Sequence, residues 1–152
     1  MIKNDPGIEV GVSKVPETRK KPKNKPGQSE ASQPDVILDF IFDDGLFFIS
    51  ISNLSDKPAY KVSVKFDRKI LGVGGKDISA LPLFRNIEFL APHKEIRTFL
   101  NDSGSYFNKG PSKISARITY QDFQGAKKVV TIDHDLGIYK EIGFIRRLKD
   151  GV

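Results

Sequence analysis

Cysteine and tryptophan are both absent from the 152 residues. Without sulfur ligands or thiolates, the chain has no disulfide framework, no cysteine nucleophile, no zinc knuckle and no iron-sulfur centre. Long apolar runs are missing too. The longest stretches, such as Leu46 to Ile49, stop at four residues, against the roughly 20 that a membrane-spanning helix needs. Met1 to Gly11 carries Lys3, Asp5 and Glu9, which does not match the charged-then-apolar layout of a secretory signal. The expectation is therefore a chain without an integral membrane segment, cytoplasmic by default and extracellular if it is a fragment.

Aromatic side chains are absent from the first 39 positions; all 15 Phe and Tyr residues follow, beginning with Phe40. Residues 1 to 34 instead hold Pro6, Pro16, Pro22, Pro26 and Pro34, with a basic stretch containing Arg19, Lys20, Lys21, Lys23 and Lys25. Such a segment buries too little to offset an ordering cost of about 1 to 2 kcal/mol per residue. It reads as a disordered, basic arm, either a solvated linker or a contact for polyanions. Within it, Ile8, Val10 and Val12 alternate as one face of a short strand would. That strand is an edge strand of the following domain, a docking strand for a partner's sheet, or a chance pattern. The expected layout is an arm over 1–34, a domain over 35–140 and a short basic tail over 141–152. In the tail, Ile142, Ile145 and Leu148 fall at helical spacing and predict packing on the domain.

From Asp35 onward the hydrophobic period is two, broken by turn residues, and no stretch of a dozen residues keeps a 3.6 period. Strands are expected over Val36–Phe42, Leu46–Asn53, Ala59–Phe66, Ile87–Leu90, Glu95–Leu100, Lys113–Gln121 and Lys127–His134. Seven short strands predict an all-β class and an immunoglobulin-like antiparallel β-sandwich. Asp43-Asp44-Gly45 closes the first hairpin, and Pro58 suits a strand entrance, where its missing N–H costs least.

The last hairpin fixes a face, because a one-residue slip would exchange its core and solvent sides. A three-residue loop, Phe123-Gln124-Gly125, pairs Tyr120 with Lys128, Ile118 with Val130, Ala116 with Ile132 and Ile114 with His134. This gathers the apolar members of both strands and puts Gly125 at the left-handed position of the turn. Lys113, Arg117 and Lys127 then point outward. If the strand from Ala59 lies beside this hairpin, Lys61 and Lys65 join them in a possible anion-binding face opposed by Asp133. Lysines are also the ordinary coat of an exposed sheet. No outward position in this register is aromatic, which argues against base stacking.

Asn53-Leu54-Ser55-Asp56-Lys57-Pro58-Ala59-Tyr60-Lys61-Val62, Leu90-Ala91-Pro92-His93-Lys94-Glu95-Ile96 and Tyr120-Gln121-Asp122-Phe123-Gln124-Gly125 are spaced turn and core landmarks. Over about residues 36 to 136 the chain resembles immunoglobulin-like accessory domains of bacterial and archaeal proteins, including the CARDB-like modules. That resemblance implies a sandwich serving as a spacer or a binding surface, with no active-site residues carried over.

Residue patterns for catalysis are weak. Ile70 to Asp77 is glycine-rich with a lysine, but its spacing is not that of a phosphate loop, and it reads as a flexible inter-strand loop. Asp133-His134-Asp135 alternates across a strand, which sends the imidazole away from both carboxylates. Asn101 to Ser105 reads as a turn after Leu100, and no Gly-x-Ser-x-Gly elbow is present. The sequons at Asn53 and Asn101 carry no weight. The expectation is a non-enzymatic module without catalytic residues, metal or cofactor, with a protein partner through a sheet edge, the loops or the arm. The alternative is a nucleic-acid or other polyanion partner through the arm and the lysine face. The surplus of 25 Lys and Arg over 19 Asp and Glu is compatible with either.

Overall fold

A computed structural model describes residues 33–140 and 142. A boundary between Gln33 and Pro34 divides the chain. The alternating residues Ile8, Val10 and Val12, the basic residues Arg19 to Lys25 and the tail beyond 142 lie outside the described residues.

The described residues form seven strands: β1 (Val36–Asp43), β2 (Leu46–Asn53), β3 (Ala59–Phe66), β4 (Ile87–Leu90), β5 (Glu95–Asp102), β6 (Lys113–Gln121) and β7 (Lys127–Asp135). They make two antiparallel sheets, β1-β2-β5 and β4-β3-β6-β7. The fold is an all-β sandwich. Period-two apolar residues supply its inner layers: Val36, Leu38 and Phe40 of β1 and Phe47, Ile49 and Ile51 of β2 face Val62 and Val64 of β3 and Ile114, Ala116, Ile118 and Tyr120 of β6. Burying a side chain of this size contributes about 1.5 to 3 kcal/mol.

Local chemistry sets the turns. Asp43 pairs with Leu46, and Asp44 and Gly45 both have positive φ, 54° and 80°, the two-residue primed turn that suits strand twist. The final hairpin adopts the three-residue loop: Tyr120 faces Lys128, Ile118 faces Val130, Ala116 faces Ile132 and Ile114 faces His134. Gly125 has φ +86°, and the Asp122 carboxylate accepts the N–H groups of Gln124 and Ala126 at 2.9 Å each.

Three features depart from the sequence reading. First, β5 continues to Asp102, whose side chain accepts the Ser105 N–H at 2.7 Å and caps a helix, α2 (Ser103–Lys109). Seven residues are too few to show a 3.6 period. The cap and the following Gly110-Pro111 were the legible signals. Tyr106 and Phe107 of α2 join Phe42 and Tyr139 around the Phe47 ring, with centroids 5.5 to 5.6 Å away, and close one end of the sandwich.

Second, the 70–77 segment is not a free loop. Leu71 bridges Asp77, Gly72 N–H donates to the Lys76 carbonyl at 2.7 Å, and Ile70 and Ile78 are buried. A β-carbon on Gly72 would sit 2.6 Å from the Leu100 carbonyl, so glycine there permits close backbone approach. Third, β3 carries a bulge between Tyr60 and Ser63, with Lys61 in the left-handed region at φ 51°. A single extra residue interrupts the alternation.

Candidate functional site

β3 lies beside β6, as the lysine-face reading requires, and Lys65, Arg117 and Thr131 form one row across three strands. Lys113 stands opposite Asp135 and Lys127 opposite Gln121, all on β6 and β7. Lys65, Lys113, Arg117 and Lys127 are exposed. The bulge removes Lys61 from this alternation. Tyr60 instead stands opposite Gln121 and Phe89, and its ring packs edge-on to Phe89 at 5.5 Å. Lys61 turns to Glu88, 3.9 Å away. The face thus does hold an aromatic pair, with Phe89 55 % exposed, in the row that continues through Gln121 to Lys127.

Acids interrupt the lysines. Ser115 donates its hydroxyl to Asp133 and its N–H to Asp67 at 3.1 Å. Asp67 also takes hydrogen bonds from the Arg68 guanidinium at 3.2 and 3.3 Å. That guanidinium, and next the Ser115 N–H, hold the Asp67 carboxyl below the usual carboxylate range.

Strand alternation separates His134 from its neighbours. Asp133 faces Ser115, and Asp135 accepts the Gly137 N–H at 2.9 Å. The imidazole packs edge-on against Phe40 at 5.0 Å, with Nε2 buried and unbonded. Burial pulls its pKa below the ordinary histidine value, opposed by Asp39, a backbone hydrogen bond at Leu38, and Asp133. His93 pairs with Asp56 at 2.7 Å, both exposed. Asn53 is 1 % exposed, and its amide donates to the Lys57 and Leu90 carbonyls at 2.7 and 3.2 Å. Its sequon therefore belongs to a structural tie.

Among the described residues β1, β4, β5 and β7 each end a sheet, and two stretches of strand edge bear on function. Among the described residues the outer side of β7 has no neighbouring strand, and none of its nine residues is fully buried. Charges sit at its ends, Lys127 and Lys128 and then Asp133 and Asp135, while Val129-Val130-Thr131-Ile132 between them is uncharged and β-branched throughout. Phe123, at the adjoining turn, is 81 % exposed.

The second stretch belongs to β3. Its pairing with β4 ends at Val62 opposite Ile87, leaving Ser63–Phe66 with β6 on one side and, among the described residues, no strand on the other. A groove of about 680 Å³ runs there, between β3 and the short helix α1 (Pro82–Arg85), with Lys65, Arg68, Lys69 and Arg85 along it. Phe66 and Phe84, packed edge-on at 5.1 Å, make its apolar wall. Sequence reasoning found Lys65 and missed the other three cations. The Arg68-Lys69 pair just past a strand was a visible signal, but α1 is only four residues long and left no periodic trace.

An antiparallel sandwich with open, β-prone edges defines the class of protein. The sequence matches the family described as Domain of unknown function (DUF8453) over residues 12–140, and the chain belongs to that family. No curated protein and no solved structure matches it. Among the described residues no helix is long and apolar enough to cross a membrane.

Proposed function

We propose that this protein is a non-catalytic interaction module that takes a protein partner by adding a strand to its β7 edge. The observation that carries this reading is the uncharged run Val129-Val130-Thr131-Ile132 on a strand whose outer side no described strand covers. Unpaired backbone groups on such an edge are a template for another chain, and soluble proteins normally blunt edges with lysine, proline or a bulge. The charges of β7 guard only its ends. The three-plus-four strand order, with the third strand beside the sixth, suits kinship with immunoglobulin-like accessory modules, which serve as spacers or binding surfaces. Thr131→Lys places a charge in the middle of the edge at an exposed position. Capture of protein from native lysate should be lost in this variant and persist after nuclease treatment of the wild type. Capture that nuclease abolishes, or that Thr131→Lys leaves intact, refutes the edge reading.

A polyanion partner is the second reading. It is favoured by the Tyr60–Phe89 pair, which Gln121 separates from Lys127 in one row of the sheet, since base stacking on aromatic rings is a general mode for single strands. It draws less support overall, because Glu88, Asp133 and Asp135 are interspersed with the lysines.

A further inference from the structure

We propose that the groove beside the open half of β3 docks an extended acidic peptide, with Lys65, Lys69 and Arg85 reading its carboxylates. The inference rests on the interaction-module reading and places a second, chemically selective site at a different edge.

The argument starts from the lining. Ser63, Val64, Lys65 and Phe66 all border the groove although consecutive strand residues point to opposite faces. The groove therefore runs along the edge of β3, past backbone that β4 leaves without a strand partner. Four strand residues span about 13 Å, enough to register against a peptide of about four residues. Partly desolvated backbone pairing there favours an extended chain over a compact ion.

Charge then selects the occupant. Arg68 is held by Asp67, but no ion pair engages Lys65, Lys69 or Arg85 among the described residues. Arg85 makes its hydrogen bond to the Ala80 carbonyl at 3.2 Å, which orients the guanidinium without neutralising it. Among the described residues no carboxylate borders the groove. Three unneutralised cations around an open edge attract carboxylates and repel basic segments. The wall of Phe66 and Phe84 accepts an apolar side chain between the acidic ones. A strand alternating acid and apolar residues meets all three features, whereas nucleic acid or a free anion would leave the strand edge unpaired.

The probe is a fluorescein-labelled hexapeptide alternating glutamate and valine, with a second peptide carrying proline in place of each valine. Wild-type protein should give a saturable anisotropy rise with the first peptide and none with the second. Amide shifts in two-dimensional NMR should centre on residues 63–66. Lys69→Glu with Arg85→Glu should weaken binding by at least about tenfold; both positions are exposed, and circular dichroism checks that the sandwich persists. Thr131→Lys should leave peptide affinity unchanged. Absence of saturation, equal binding of the proline peptide, indifference to the charge reversals, or equal competition by a single-stranded oligonucleotide of the same charge overturns the proposal. Lysate capture that survives any of these failures leaves the β7 reading standing.

Discussion

Asn53 joins the two sheets through a single side chain. It ends β2, yet its amide donates to the Leu90 carbonyl at the end of β4, while its Oδ1 accepts from the N–H and hydroxyl of Ser55 at 3.1 and 2.8 Å. Asn53→Ala leaves the buried Leu90 carbonyl without this donor and frees the Ser55 N–H, and should destabilise the domain by about 1 to 3 kcal/mol in urea unfolding. His134 makes a different demand. Because burial lowers its folded pKa, the unfolded chain binds the proton more readily, so stability is full above the ordinary value of about 6.5 and falls as pH drops below it toward the folded value. His134→Leu should flatten that part of the profile, measured as the urea midpoint against pH. A wild-type midpoint that rises on acidification through this window would contradict the assignment.

Two backbone positions show how elements are tuned. Gly125 and Lys61 both have positive φ, 86° and 51°, but only the first is a glycine. Gly125→Ala should cost about 1 kcal/mol or more by straining the turn that sets the β6–β7 register. Lys61→Gly should instead stabilise by about 0.5 to 1 kcal/mol, since it relieves a left-handed lysine whose ion pair to Glu88 is exposed. Thermal unfolding of the two variants should therefore move in opposite directions. The bulge at Lys61 is also what brings Tyr60 opposite Gln121, so an element-level irregularity decides which side chain the sheet face presents.

For the whole molecule, the net charge is +6, and on the described sheet face the lysines alternate with Glu88, Asp133 and Asp135, which leaves no strong polyanion surface there. Duplex DNA should bind only in the roughly 1 to 100 µM range at physiological salt, with a logarithmic salt slope of about −0.9 per phosphate contacted. Fluorescence titration across a salt series checks this, and a submicromolar affinity would favour the polyanion reading instead. The sequence by itself determined the strand set, the first hairpin and the β6–β7 register, because period-two burial and turn residues act over a few neighbours. Only the tertiary structure decided the rest. Helix α2 is too short to be periodic and holds its place by packing Tyr106 and Phe107 on Phe47. The bulge in β3 answers to the partner strand and not to its own residues. The cations of the β3 groove come together because β4 stops short and the chain from Arg68 to Arg85 folds back along the open edge, a juxtaposition no local pattern encodes.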